Sequence, residues 1–314
     1  MLKYYFQLFR IPNLFTVPSN IIAGYVLTLS NNFNHINFFD LLILAFSSIF
    51  LYIGGLITND LFDISVDKIQ RPARPLVLGK INVSTTIILS ILFLSSGVLL
   101  SFFFKSTTTM ISLILVILIL LYNYKLKNGP MRPFVMGSIR SANIIYGSSP
   151  NNDFLNNTNY GINHDIIFNQ TITLITLTIA VFIHIYTLTL LSKRETEDEN
   201  KELKKKLSLK RIYKNYLFAF IILFSLSVIF IPNKVAFFSF FLVFISIITI
   251  LFYNRLHKEE YSHYDIQFLV KNMIILLILL DSIFIAGVLG ISVVVLTCCL
   301  LLPCLIIGKK VNMT

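Results

Sequence analysis

Apolar residues in this chain run in long unbroken blocks; they neither alternate nor mark a single stripe. Ten blocks are legible, at about residues 15–30, 38–58, 85–104, 108–124, 133–149, 170–192, 213–232, 235–253, 265–288 and 291–308. Each approaches the roughly 20 residues an α-helix needs to cross the hydrocarbon layer. Helices are the expected spanning form, because lipid offers backbone N–H and C=O groups no partners. A membrane barrel would show alternating positions instead. The pattern predicts an all-α integral membrane protein with a bundle of nine or ten transmembrane helices. The lower count applies if the last two blocks are one span plus a re-entrant or shortened piece.

Composition agrees. Of the 314 residues 56% are hydrophobic and 13% charged, and the mean hydropathy is +0.79. Soluble domains carry about 25% charged residues, so an ordinary soluble enzyme, a disordered chain and a coiled coil are excluded. A net charge of +11 would suggest nucleic acid in a soluble protein. Here it is explained by basic loops on the cytoplasmic face. With the N-terminus in the cytoplasm, 22 of the 26 Lys and Arg residues fall inside, Lys105 and Lys234 fall outside, and Arg140 and Lys271 fall within or beside spans. The expected partner is therefore the lipid bilayer, with no nucleic acid, and the multi-pass chain has its N-terminus on the cytoplasmic face. Cys298, Cys299 and Cys304 sit in the last apolar block without metal-ligand spacing and read as reduced thiols. The N-terminal MLKYYFQLFRIPNLF shows no cleavable signal.

The sharpest chemical signal is TNDLFDISVD, at the cytoplasmic end of the second span. Asp60, Asp63 and Asp67 are spaced three and then four residues apart, which puts them on one helix face. Three stacked carboxylates repel one another unless a cation neutralises them. Mg2+ suits this role, since it takes oxygen ligands and commonly joins one or two carboxylates to substrate phosphates. Asn59 precedes the acids and Lys68, Arg71, Arg74 and Lys80 follow them. Pro72 and Pro75 end the helix there and leave the basic residues on a loop. Carboxylates beside a basic loop describe a metal-dependent diphosphate site; the bland alternative is a charge-paired helix end at the membrane interface. On both readings the acids lie at the cytoplasmic face.

NDLFDISVDKIQRPARPLVLGKI resembles the first Asp-rich motif, NDxxDxxxD followed by RPxRP and Gly, of the UbiA superfamily of intramembrane prenyltransferases. RIPNLFTVPSNIIAGY resembles its first helix, and LYNYKLKNGPMRPFVMGSIRSANIIYG its Tyr/Lys segment and fifth helix. The resemblance implies one domain over residues 1–314, a helical bundle around a central cavity, Mg2+ as cofactor, and a prenyl diphosphate and a hydrophobic acceptor as partners. It implies transfer of the prenyl group to an aromatic or lipid acceptor with release of diphosphate. Asp60, Asp63 and Asp67 are the implied metal ligands, and Asn59, Arg71, Arg74, Tyr122 and Lys127 the implied diphosphate contacts. The family's Tyr-x-x-x-Lys spacing is not reproduced: Tyr122 and Tyr124 stand five and three residues before Lys127. An ordinary interfacial anchor is the other reading of these residues.

Arg140 lies in an apolar block, and an intramembrane Arg is by default a functional candidate. Gly137, Arg140, Asn143 and Gly147 share one helix face. That face is expected to look into the bundle, with Arg140 pairing with Asp60, Asp63 or the diphosphate, or else fixing helix register. Asn13, Asn20 and Gly24 form a second candidate cavity stripe, with helix packing as the alternative. The sixth span departs from the family: HIYTLTLLSKRETEDEN places no Asp within the span where a second Asp-rich motif is usual. Ser192, Lys193, Arg194 and Glu195 resemble the version in a divergent, EboC-like branch, which implies Glu195 as a metal ligand and Arg194 as a diphosphate contact. The alternatives are a missing second metal or a charged helical connector. His184 reads as a satisfied packing residue or an acceptor contact. Asp281, deep in the ninth span, needs a buried partner, either Arg140 or a hydroxyl, and Lys271 and Asn272 border the same region. Two rival functions remain: a catalytically altered relative that binds or moves an isoprenoid or lipid, and a transporter coupling through Asp60, Asp63 and Arg140.

Overall fold

The computed structural model describes residues 2–29, 36–126, 129–151, 164–193, 202–256 and 263–308, and no strand occurs among them. The order is α1 (Leu2–Leu8), α2 (Ile11–Leu14), α3 (Thr16–Leu27), α4 (Phe38–Phe62), α5 (Ile64–Gln70), α6 (Val83–Ser101) and α7 (Ser106–Leu121). A π-helical turn follows (Tyr122–Leu126), then α8 (Arg132–Ser148), α9 (His164–Lys193), α10 (Glu202–Phe230), α11 (Lys234–Leu256), α12 (His263–Leu289), α13 (Ile291–Cys298) and α14 (Leu301–Gly308).

All ten apolar blocks fold as helix. Among the described residues eight segments are long and apolar enough to cross a membrane. The other two blocks are α3, with 12 residues, and α8, with 17 residues and a polar face. The last block is broken into α13 and α14. Helix starts follow the side chains: the Asn37 side-chain oxygen accepts from the Phe39 and Asp40 N–H groups at 3.1 and 3.4 Å, and Asn82 caps α6 at Ser84.

α12 is the bundle's central helix, packed on α3, α9, α11 and α13. Leu277, Leu280, Ile283 and Phe284 on it are fully buried, as expected of a helix apolar on all sides. Outer helices turn Ile88, Ile91, Phe218, Ile229 and Leu242 outward, where lipid is an adequate solvent. Between helices, small residues and hydroxyls do the joining. Gly147 of α8 lies against the Ile21 backbone of α3, and a Cβ there would stand 2.6 Å from the Ile21 carbonyl oxygen; Gly24 of α3 meets the Ile144 carbonyl of α8 in the same way. The Ser47 hydroxyl binds the Gly97 carbonyl and the Tyr146 hydroxyl, both at 2.6 Å, joining α4, α6 and α8.

His184 lies outside the cavity described below. Its Nε2 stands 2.8 Å from the Met273 carbonyl oxygen and its Nδ1 2.7 Å from the Tyr216 hydroxyl. A carbonyl only accepts, so Nε2 carries the proton and Nδ1 accepts from Tyr216. Phe220 and Phe244 enclose the ring. This is the satisfied packing residue among the two expectations. Lys271 donates to the Gly308 carbonyl at 2.6 Å and Asn272 to Phe268. Neither lines the cavity, a correction to their expected position: their side chains point toward α14 and back along α12.

Candidate active site

The Asp-bearing end of α4 opens onto a cavity of about 330 Å³. α4, α5 and the following loop supply Asn59, Asp63, Asp67, Arg71 and Arg74 to its wall. The π-helical turn supplies Tyr122 and Asn123, α8 supplies Arg132, Arg140 and Asn143, and α9 supplies Ser192. Deeper in, Leu51, Leu56, Leu115, Ile119, Met136 and Ile139 make the wall apolar.

The expected carboxylate stack forms with a break. α4 ends at Phe62 and α5 starts at Ile64, with Asp63 at the junction. The turn is preserved because the Asp63 N–H binds the Asn59 carbonyl at 3.0 Å and the Asp67 N–H binds the Asp63 carbonyl at 2.7 Å. The stack's neutralising cations belong to the chain itself. Arg74 Nη1 donates to Asp67 Oδ2 at 2.6 Å and to Asp60 Oδ1 at 2.9 Å, and Arg10 Nη2 reaches the same Asp60 oxygen at 2.9 Å. Asn59 Nδ2 donates to Asp63 Oδ2 at 3.0 Å. Asp60 is buried behind its two arginines, whereas Asp63 and Asp67 reach the cavity wall. Burial pushes the Asp67 carboxyl above its ordinary value and the Asp63 and Asp60 charges push the same way, against the opposing pull of Arg74.

Arg10 occupies the turn between α1 and α2 with φ 45°, the one positive-φ non-glycine residue among the described residues. Such a conformation costs of order 1–3 kcal/mol. Here it aims the guanidinium at Asp60.

Arg140 does not pair with Asp60 or Asp63, a correction to that expectation. Its Nη2 donates to the Thr16 hydroxyl at 3.3 Å, its Nη1 to the Asn20 side-chain oxygen at 3.4 Å, and it lies 4.8 Å from the Tyr52 ring centroid. Asn20 Nδ2 in turn donates to Asp281 Oδ1 and Oδ2 at 3.1 and 2.9 Å, and the Ser19 hydroxyl donates to Asp281 at 2.6 Å. Asp281 thus finds a hydroxyl partner as expected, plus an amide that relays to Arg140. It lies behind the wall, as do Asn13 and Asn20; neither Asn forms the expected cavity stripe, because Asn20 is turned toward α12. Asn143 reaches the cavity, and its Oδ1 accepts from the Ser48 hydroxyl at 2.5 Å. Gly137 and Gly147, on the same helix, pack against Phe182 and Ile21.

Among the described residues no group of three His, Cys, Asp or Glu side chains stands at metal-ligating spacing. The described residues therefore do not by themselves build a closed protein cage. Mg2+ seldom needs one, since one or two carboxylates plus phosphate and water complete its shell. Asp63 and Asp67 on the cavity wall, with the Asp67 charge disfavoured by burial and by its acidic neighbours, fit that role. The expected contacts at Lys127, Arg194 and Glu195 lie outside the described residues. Tyr122 lines the cavity while Tyr124 is exposed and stacks edge-on with Phe62. Reasoning from sequence missed Arg10, Asn123 and Arg132. The RIPN boundary of the first span was the available signal for Arg10, and Arg132 looked like one more basic loop residue.

A family model described as the UbiA prenyltransferase family matches residues 18–274. The digeranylgeranylglyceryl phosphate synthase of Sulfolobus acidocaldarius is 29% identical over 156 residues, covering 49% of this chain and 55% of that protein. Its counterpart in Methanocaldococcus jannaschii is 33% identical over 147 residues, covering 46% and 51%. The chain thus spans about half the length of the curated relatives it matches. Two solved structures share the fold. One, from a study of digeranylgeranylglyceryl phosphate synthase in membranes, superposes with a TM-score of 0.59 at 23% identity and covers 92% of this chain and 99% of its own. The other, a UbiA homolog from Archaeoglobus fulgidus bound to DMAPP and Mg2+, gives 0.55 at 16% identity and covers 93% and 99%.

Proposed function

This chain belongs to the UbiA prenyltransferase family, and from that premise we propose that it is a Mg2+-dependent intramembrane prenyltransferase. It moves a prenyl group from its diphosphate to a hydrophobic acceptor and releases diphosphate. The observation that carries this reading is the pairing of Asp63 and Asp67 with Arg10, Arg71 and Arg74 on one wall, above an apolar cavity floor. Acids for a cation, guanidiniums for an anion and a greasy slot for a tail match the three parts of a prenyl diphosphate.

Asp63 and Asp67, with Asn59 orienting Asp63 and Asp60 holding the two arginines, would bind Mg2+. That ion would supply charge neutralisation at the diphosphate. Arg71 and Arg74 bind the diphosphate oxygens and stabilise the negative charge that grows as the C1–O bond breaks. Tyr52 offers a ring face to the developing allylic cation. The acceptor forms its bond to C1 on the side away from the leaving diphosphate as the C1–O bond breaks, and the proton it gives up passes to the released diphosphate or to water. Tyr122 and Asn143 border this space, with Arg140 held beside it by Thr16 and Asn20.

The curated relatives are digeranylgeranylglyceryl phosphate synthases, which makes a glyceryl phosphate lipid the first acceptor to test. The basic residues, 22 of 26 on one side of the proposed topology, support a cytoplasmic N-terminus and a cytoplasmic site. Labelled prenyl diphosphates offered to the purified protein in lipid, with a panel of lipid and aromatic acceptors, test the reading. Label moving into one acceptor supports it. Tight binding without transfer to any acceptor would instead establish a protein that carries an isoprenoid, a reading motivated by the sixth apolar block, 170–192, which contains no Asp.

A further inference from the structure

Asp281, deep in α12, is fully buried. A buried charge is costly unless close partners meet it. Its partners come from α3: the Ser19 hydroxyl donates at 2.6 Å and Asn20 Nδ2 at 3.1 and 2.9 Å. A carboxylate only accepts and a guanidinium only donates. Asn20 therefore turns Nδ2 to Asp281 and Oδ1 to Arg140, and stands between an acid and a base. The Arg140 charge still acts on Asp281 across this amide.

The network is tight at the Asp281 end and loose at the Arg140 end. There the two hydrogen bonds are 3.3 and 3.4 Å long and go to neutral oxygens, on Thr16 and Asn20, beyond the usual N–H···O range. The ion pairs among the described residues join Arg10, Arg74 and Arg255 to acids, and none includes Arg140. A guanidinium has five N–H donors, and this one lies on the cavity wall. A network that served only to fix helix register would gain most from direct Asp281–Arg140 contact. The interposed Asn20 instead makes a charged guanidinium tolerable within the membrane without spending its donors. Arg140 covers the Tyr52 ring, and Tyr52 precedes Asp60 by about 12 Å of helix. Its charge is thus set inward from the Asp-bearing end of α4, beside the space given above to the acceptor.

We propose that Asp281 and Asn20 are positioning residues that hold Arg140 charged and open-handed for an oxyanion on the acceptor. Arg140 donates to the phosphate or carboxylate oxygens of that group. Asp281 supplies its counter-charge from one residue behind, and Asn20 keeps the two apart. The acceptor class is thereby narrowed to acids, with neutral alcohols disfavoured. The inference rests on the prenyl-transfer reading above and adds to it a group that the Asp-rich segment does not supply.

Melting of the purified full chain in detergent micelles, with graded amounts of each probe, tests it, because a ligand of the folded state raises the melting temperature by its affinity. Lysophosphatidate is set against monoacylglycerol of the same chain, and benzoate against benzamide, so that the phosphate and carboxylate sources are read separately. Inorganic diphosphate with Mg2+ is the third probe. Wild type is expected to prefer the anion of at least one pair by about tenfold or more. Arg140→Gln should abolish that preference and Asp281→Asn should reduce it several fold. The double variant should bind the anion no worse than Arg140→Gln alone, since Asp281 acts through Arg140. Diphosphate affinity should stay within about twofold throughout. If Arg140→Gln does not fold, Arg140→Lys takes its place with a partial loss. No preference in either pair, a preference that Asp281→Asn leaves unchanged, or losses that add in the double variant would overturn the proposal, the last by assigning Asp281 to stability alone. An equal loss of diphosphate affinity in Arg140→Gln would overturn it by assigning Arg140 to the diphosphate. Each of these leaves the prenyl-transfer reading intact, whereas a wild-type protein that does not bind diphosphate with Mg2+ would overturn both.

Discussion

Arg74 and Asp67 meet at 2.6 Å, and the same Arg74 nitrogen holds Asp60 at 2.9 Å. One guanidinium therefore spans the two ends of the carboxylate stack, placed by the Pro-bounded loop that ends α5. Removing it leaves two nearly buried acids facing each other. Arg74→Gln is expected to destabilise the protein by about 2–3 kcal/mol, a buried-pair cost reduced for the part of the side chain open to the cavity. Added Mg2+ should raise the melting temperature of this variant more than that of wild type. Melting curves in detergent with and without Mg2+ check both.

Asp281 is the anchor of the Ser19–Asn20–Arg140 chain. Asp281→Leu would leave the Asn20 amide without its acceptor and the Ser19 hydroxyl with only the Thr16 carbonyl, at a cost of about 1–3 kcal/mol. Asp281→Asn keeps an acceptor oxygen but removes the charge that faces Arg140 through Asn20. Its expected signature is a small change in melting temperature with a larger fall in prenyl transfer. Equal losses in both would mean that Asp281 serves stability alone.

The α3–α8 crossing depends on backbone contact at Gly147 and Gly24. Gly147→Ala forces the two helices apart at the Ile21 carbonyl. The expected loss is about 1–3 kcal/mol, read as a lowered melting temperature. Gly24→Ala should act on the same contact, so the double variant should lose less than the two single losses added.

Asp67 gives the site a pH signature. Its carboxyl is held above the ordinary range by burial and by its acidic neighbours. A raised folded value means the protein without metal binds this proton over a wider range than the unfolded chain. That contribution to stability is fully present below the unfolded value and is lost as pH rises through the folded one. Mg2+ requires the deprotonated form, so its affinity should start to fall at a higher pH than an ordinary carboxylate would dictate. Mg2+ titrations across pH should show this onset in wild type and a lower onset in Asp67→Asn.

The spans were legible because lipid demands long apolar runs, and ten runs became ten helical blocks. The acidic motif was legible because a spacing of three and then four carries side chains to one face whatever the tertiary fold. Its counter-ions were not. A stack of acids announces a need for positive charge, but not whether a metal or an arginine 50 residues away, such as Arg10, answers it. Asp281 likewise announced a buried partner, yet Ser19 and Asn20 lie some 260 residues earlier and meet it only through the α3–α12 contact. Arg132 was hidden by its place at a helix start next to a basic loop, where a solvated charge is the ordinary expectation. Lys271 misled for the opposite reason: a cation near a span end suggested a cavity, and the α14 terminus took it instead.

The most direct test of the account is release of diphosphate from a prenyl diphosphate by the purified protein in lipid, with and without Mg2+, beside Asp63→Ala. The account predicts release that requires Mg2+ and a prenyl acceptor and falls by at least two orders of magnitude in Asp63→Ala, as expected when electrostatic stabilisation of a leaving group is removed. Release that persists without Mg2+, or that Asp63→Ala leaves unchanged, would contradict it.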